Sequence, residues 1–205
     1  MPDPADQLRA EFGDIDIYLF DLLLHGRITR GMRILDAGCG GGRNLVYLMR
    51  RGFDVWAIDK EPDAVDQVRR MAARIAPRLP ADRFRVESVD AMSRESSSMD
   101  CIISSAVLHF ARDDAHWNAM VDEMWRVLAP GGILFARLAT TVGQPKLRSL
   151  GGGRYVMPDG DTRYLVDHER LLAKTRDLGG SLVDSLKSSV VHDRRSMGTW
   201  VLRKQ

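Results

Sequence analysis

The chain has 205 residues, 44% of them hydrophobic and 28% charged, which fits one enzyme-sized domain around a single core. Thirty basic residues against 28 acidic ones leave a net charge of +2, so no global electrostatic footprint points to nucleic acid, and only a local basic patch is left open. No apolar run approaches the roughly 20 residues of a membrane span, and the opening Met1-Pro2-Asp3-Pro4 lacks the basic-then-apolar order of a signal peptide. Cys39 and Cys101 lie in apolar strand-end contexts without CxxC spacing, which argues against a disulfide framework or a zinc site. A cytoplasmic protein with two reduced thiols is expected.

In chain order, short apolar runs of the kind buried in parallel sheets predict strands at residues 33–36, 54–59, 83–89, 100–104 and 133–138. The last is introduced by the turn Ala129-Pro130-Gly131-Gly132. Helix-period segments fill the gaps. Residues 61–76 place Ala64, Val65, Val68, Met71, Ala72 and Ile75 on one stripe, and Pro62 suits a first helical turn. Residues 114–128 do the same with Trp117, Met120, Val121, Met124 and Leu128, with Asp113 or Asp114 as the cap. The alternation predicts a doubly wound α/β sheet.

Residues 140–166 break this rhythm with Gly143, Pro145, Gly151-Gly152-Gly153 and Pro158-Asp159-Gly160. They are expected to form an insertion, with a β-hairpin of residues 154–157 and 162–166 around the Pro-Asp-Gly turn. A helix over 167–178 and strands over 182–192 and 197–203 complete the chain. The turn Asp193-Arg194-Arg195 joins those two strands, so they must run antiparallel. No internal repeat is visible.

The chemistry concentrates in Ile34-Leu35-Asp36-Ala37-Gly38-Cys39-Gly40-Gly41-Gly42-Arg43-Asn44, an apolar strand that ends in an acid and enters a glycine-rich turn. Such glycines let the backbone approach a ligand closely, and the helix that follows points unpaired N–H groups at the turn. A nucleoside cofactor is the expected ligand. A dinucleotide fingerprint needs glycines at its first, third and sixth positions, and the sixth position counted from Gly38 is Arg43.

The segment instead resembles motif I of the class I S-adenosylmethionine (SAM) methyltransferases, with Asp36, Gly38, Gly40 and Gly42 in the motif positions. The resemblance extends over residues 15–203. It implies a doubly wound three-layer sandwich, with a seven-stranded, mostly parallel sheet and an antiparallel last strand. A single domain would span residues 1–205, with residues 1–30 as a lid or cap and residues 140–166 as an insertion.

It further implies that Asp59 holds the ribose hydroxyls of SAM, since an ionised carboxylate accepts from two vicinal donors; a helix cap before Lys60-Glu61-Pro62 is the competing reading. Asp90 would face the adenine amino group and Ala91 or Met92 its ring, against the alternative of a surface acid. Asp36 would lie near the methionine amino group, and Ser104, Ser105 and Ala106 would line the methionine moiety. The implied cofactor set is Tyr18, Asp36, Gly38, Cys39, Gly40, Gly42, Asn44, Asp59, Lys60, Asp90, Ala91, Met92 and Ser105. In the N-terminal segment, Ile17, Phe20, Leu23 and Leu24 are expected against the sheet, with Ile15, Tyr18 and Leu22 toward the cofactor.

The fourth strand carries neither Asn/Asp-Pro-Pro-Tyr nor Pro-Cys, which argues against DNA amino and cytosine-C5 methylation. Val107-Leu108-His109-Phe110 instead resembles the small-molecule branch, and His109 is the candidate general base, with a structural ring as the alternative. His192, close to Arg194 and Arg195, is read as a solvated turn residue, with the rim of the substrate pocket as the alternative. Arg137, Arg154, Tyr155, Arg163 and Tyr164 are candidates for the acceptor pocket, where arginines would suit an acidic acceptor through bidentate pairing, with solvated hairpin arginines as the favoured alternative. No required metal is expected, because Asp113-Asp114 with His116 is better explained as a helix start. The expected activity is methyl transfer from SAM, with S-adenosylhomocysteine as product, to an O, N, S or C atom of a small molecule. An RNA or protein methyltransferase and a non-catalytic SAM-binding regulator remain as alternatives.

Overall fold

A computed structural model describes residues 3–192 and 194–205; Asp193 of the predicted turn and the Met1-Pro2 opening lie outside the described residues. The helices are α1 (Pro4–Phe12), α2 (Ile17–Leu24), α3 (Leu45–Arg50), α4 (Pro62–Ile75), α5 (Asp114–Val127) and α6 (His168–Asp177). The strands are β1 (Arg33–Ala37), β2 (Asp54–Asp59), β3 (Phe84–Val86), β4 (Met99–Ser105), β5 (Leu128–Ala139), β6 (Arg148–Gly151), β7 (Arg154–Val156), β8 (Thr162–Tyr164), β9 (Gly180–Leu182), β10 (Lys187–Val191) and β11 (Arg195–Lys204).

The main sheet runs β10-β11-β5-β4-β1-β2-β3, with β9 added beside β11. Strands β1 to β5 pair in parallel, and β11 inserts antiparallel between β5 and β10. The reversal between β1 and β4 leaves a crevice at the carboxyl ends of these strands, the place where open α/β sheets hold ligands.

Side-chain alternation along each strand divides the interior between two faces. Leu35, Ile102, Leu134 and Ala136 share one cluster with Trp117, Val121 and Met124 of α5 and Leu171 of α6. Ile34, Cys101, Ile103, Ile133 and Phe135 share the other with Leu45 and Leu48 of α3 and Val65 and Val68 of α4. Both cysteines are buried free thiols. Asp113 caps α5 by accepting from the His116 amide at 2.8 Å, and Asp167 caps α6 in the same way through Arg170 at 2.7 Å.

Several expected boundaries shift. The third strand stops at Val86 rather than 89, because Ser88 and Asp90 bond each other and a Ser88–Ala91 bridge folds the chain back. The turn at 129–132 becomes an irregularity inside β5, where the register jumps from Met99–Leu128 to Cys101–Ile133. The strand expected over 182–192 breaks into β9 and β10 around Asp184 and Ser185, both poor strand formers. The insertion holds the hairpin β7–β8 and gains β6 as a third strand. Its inner side seats Met157 and Leu165 on Ala139 and Met197, so it roofs the carboxyl end of β5.

The N-terminal stripe is out of phase with the sequence reading. Leu19 and Leu22 are buried in the core, whereas Ile17 and Leu24 are exposed at 73% and 69%. Among the described residues, no helix is long and apolar enough to cross a membrane.

Candidate functional site

The glycine turn leaves β1 at Ala37 and is pinned to β2, with Gly38 and Cys39 both donating to the Ile58 carbonyl at 2.9 Å. Gly38 has φ +84°, and a Cβ there would meet Val107 Cγ2 at 2.5 Å. Gly40 has φ +50° with no atom within 4 Å of where its Cβ would stand, so its free side opens into the crevice. That crevice is a cleft of about 450 Å³ lined by the turn, by Asp59, Lys60 and Glu61, by Ser88 and Val89, by Ser105 to Val107, and by Phe110, His116 and Met120.

Asp36 lies under the turn, 1% exposed, and neither of its oxygens accepts a hydrogen bond from any described residue. Burial is the main force pushing its pKa up to about 7, opposed by the charge of Arg43 and reinforced by that of Asp59. A buried, unsatisfied carboxylate is costly, and its natural complement is a cationic hydrogen-bond donor. Asp59 is differently held: Oδ2 accepts from the Gly40 amide at 2.8 Å and Oδ1 from the Glu61 amide at 3.0 Å. It therefore closes the turn and also makes the local bond of the competing helix-start reading.

Arg43 spans from the turn to the end of β4, donating to Ser105 Oγ at 2.7 Å and lying 3.7 Å from Asp16. Asp16 caps α2, its own amide donates to Asn44 Oδ1 at 2.9 Å, and it pairs with Arg137 at 3.6 Å. The N-terminal helix is thus strapped to the turn by polar contacts.

The expected site residues separate into two groups. Gly38, Cys39, Gly40, Asp59, Lys60 and Ser105 line the cleft. Asn44 is buried and occupied with Asp16, and Gly42 packs on α4, where a Cβ would meet Met71 and Val68. Tyr18 lies away from the cleft, its hydroxyl 2.6 Å from Ser189 Oγ and its ring under the Arg137 guanidinium. Met92 belongs to the core and Ala91 to the exposed turn, so the apolar residue of this loop on the cleft wall is Val89.

Asp90 stands behind the cleft wall, bonded to Ser88 and 3.3 Å from His116 Nε2; the Ser88 hydroxyl is the main influence holding its pKa below the usual carboxylate range. His116 Nδ1 accepts from the Arg112 amide, which leaves its proton on Nε2, toward Asp90. Among the described residues no group of three or more His, Cys, Asp or Glu side chains is arranged to hold a metal ion.

Arg43, Val89, Phe110, His116 and Met120 line the cleft but were not among the cofactor-binding residues expected from the sequence. The pair His116 and Met120 carried a usable signal, since i,i+4 spacing sets both on one face of α5.

A second cavity of about 700 Å³ lies under the insertion, lined by His109, Ala139, Met157, Arg163, Met197 and neighbouring residues. It shares Ala106 with the glycine-turn cleft. Ala106 has φ +65°, a left-handed conformation that costs a non-glycine residue about 1–2 kcal/mol, and its amide is anchored on the Arg137 carbonyl at 2.7 Å. Strain of this kind clusters at ligand sites. His109 lines the second cavity and its neighbour Phe110 the first, their rings 4.6 Å apart. The Nδ1 of His109 is buried without a partner among the described residues, and burial, aided by the Arg163 charge, pushes its pKa down to about 4. The ring is therefore neutral near pH 7. His192 sits exposed in its turn.

Fold and site together define a doubly wound α/β protein with a glycine-turn cleft and an adjoining second cavity. Residues 34–132, just under half of the chain, match the family model described as "Methyltransferase domain". A ubiquinone biosynthesis O-methyltransferase of Methylocella silvestris is 32% identical over 131 residues, covering 64% of this chain and 49% of that protein. The chain spans about half the length of the curated relatives it matches.

Among solved structures, a Burkholderia thailandensis 1,6-didemethyltoxoflavin-N1-methyltransferase, with its namesake compound and S-adenosylhomocysteine bound, superposes with a TM-score of 0.72 at 18% identity. It covers 98% of this chain and 82% of its own. A SAM-dependent methyltransferase of Methanosarcina mazei gives a TM-score of 0.69 at 21% identity, covering 89% and 96%. At these identities the structures share the fold.

Proposed function

We propose that this protein, acting as one domain in the cytoplasm, transfers a methyl group from SAM to a small-molecule nucleophile and releases S-adenosylhomocysteine. The observation that carries the reading is Asp36, a buried carboxylate with both oxygens unpaired beneath the glycine turn. The ammonium of a methionine moiety is the kind of donor it lacks. Asp59 lines the same cleft and would take the ribose hydroxyls, exchanging a bond to Gly40 or Glu61. Val89, Phe110 and Met120 would give the base an apolar slot, and Arg43 would stand opposite the methionine carboxylate.

When bound, SAM supplies a methyl group already activated on a sulfonium. The chain's work is then chiefly alignment, worth about 7–11 kcal/mol in favourable intramolecular cases. Ala106, common to both cavities, marks where acceptor and donor would meet. With SAM bound, the neutral His109 ring, which lines the same cavity as Ala106, would take the proton of an O–H, N–H or S–H acceptor. With its pKa near 4, that ring is a weak base, which suits a proton released late, as the acceptor gains positive charge.

Calorimetric titration with SAM and S-adenosylhomocysteine, with NAD as control, tests the reading. Both sulfur nucleosides should bind, NAD should not, and Asp59→Ala should weaken them by about 10–100-fold. Binding of NAD alone, or of neither nucleoside, overturns it.

A further inference from the structure

The second cavity contains charges that methyl transfer itself does not require. Its floor is apolar, with Ala106, Ala139, Met157 and Met197, and its rim carries Arg163, Asp159, Arg194 and Arg195. The partners of these charges differ. Arg163 is paired with Asp161 at 2.6 Å and lies over the Phe110 ring. Asp159 Oδ1 accepts from the Asp161 amide, which makes it the turn residue of the β7–β8 hairpin. Arg194 and Arg195 make no ion pair with any described residue, and both are exposed at the cavity mouth. Arg195 is also close enough to Arg137 for the two like charges to act on each other.

Among the described residues, the two guanidiniums without an ion pair and the one carboxylate at this mouth leave a surplus of one positive charge. The guanidinium fork matches a carboxylate bidentately, and Asp159 disfavours a dianion. A methionine-bearing floor adapts to varied apolar shapes.

We propose that the acceptor is an organic monoacid, an apolar body whose carboxylate sits on Arg194 and Arg195 while its methyl-accepting atom lies at Ala106 beside His109. This rests on the methyl-transfer reading of the site. It places the acceptor among carboxylic acids that also carry a hydroxyl, amine or thiol at the far end.

The test is a binding comparison on the full chain. The acids 4-hydroxybenzoate, 4-hydroxycinnamate and indole-3-acetate are each titrated against their primary amides, with and without saturating S-adenosylhomocysteine. At least one acid should bind about tenfold or more tightly than its amide, with the ratio falling as salt rises. Arg194→Gln with Arg195→Gln should bring that ratio toward one and leave the affinity for S-adenosylhomocysteine unchanged, which also shows that the variant is folded. Equal binding of acid and amide, a ratio that survives in the double variant, or no binding of any acid at millimolar concentration overturns the proposal. Failure of S-adenosylhomocysteine to bind overturns the cofactor reading alone, because the acid–amide ratio is also read in its absence.

Discussion

Asp36→Asn isolates the central electrostatic feature of the site. Burial raises the Asp36 pKa from 3.8 to about 7, so in the ligand-free protein the ionised form is the unfavourable one. Folding then takes up a proton between pH 4 and 7, and the stability Asp36 contributes is fully present below about 4 and lost as pH rises through 7. A shift of about three units at about 1.4 kcal/mol each amounts to about 4 kcal/mol. Other carboxylates act in the opposite direction: Asp90, Asp100 and Glu123 are held below their usual values by their hydrogen-bond partners. The quantity to compare is therefore the pH slope of wild type minus that of the variant. Urea unfolding at pH 4.5 and pH 8 without ligand should show Asp36→Asn gaining on wild type by a few kcal/mol between the two conditions.

The same residue predicts a proton count on binding. A donor cation placed against Asp36 draws its pKa down, so binding S-adenosylhomocysteine at pH 6 should release close to one proton from the carboxyl, and close to none at pH 8. Calorimetry in buffers of different ionisation enthalpy reads this directly. Parallel pH slopes in the two proteins, or undiminished nucleoside binding by Asp36→Asn, would refute the reasoning.

Three further outcomes follow from local geometry. Gly38→Ala drives a Cβ to 2.5 Å from Val107 Cγ2 at φ +84° and should cost about 2–4 kcal/mol, partly recovered by Val107→Ala. Gly40→Ala meets nothing within 4 Å and should cost about 1 kcal/mol; equal losses in chemical denaturation would contradict the packing difference. For His109, a pKa near 4 predicts kcat/KM with no acid limb at pH 6–7 from this ring, and His109→Asn should lower kcat by about 10²–10⁴-fold if it takes the proton. A limb near 6.5 that vanishes in the variant would show the ring to be less buried. Asp100→Ala removes the two-pronged pair with Arg33; because the arginine side chain is 43% exposed, the loss should be about 1 kcal/mol at pH 7. It should shrink as pH falls through the lowered Asp100 pKa.

The parallel strands were legible because each is a short apolar run followed by a turn or cap signal, and β1, β2 and β4 fall within a residue or so of their expected ends. Helix α2 was not, and its composition says why. Ile17-Tyr18-Leu19-Phe20-Asp21-Leu22-Leu23-Leu24 is apolar at all positions but one, so periodicity cannot choose its inner face. Tertiary ties choose it instead: the Asp16 amide on Asn44 fixes where the helix starts, and the Tyr18 hydroxyl on Ser189 fixes its rotation. Both partners are distant in sequence, one of them on β10.

Arg43 shows the same limit within the site. Along the chain it is the residue that spoils a dinucleotide fingerprint, occupying the position where a third glycine would let helix and strand pack closely. In the fold it crosses from the turn to Ser105 and Asp16 and lowers the cost of ionising Asp36 beneath it. A third glycine would have left that carboxylate without its nearest positive charge. The departure from one cofactor motif thus helps keep the Asp36 pKa near 7 rather than higher, within reach of a ligand whose own cation completes the ionisation.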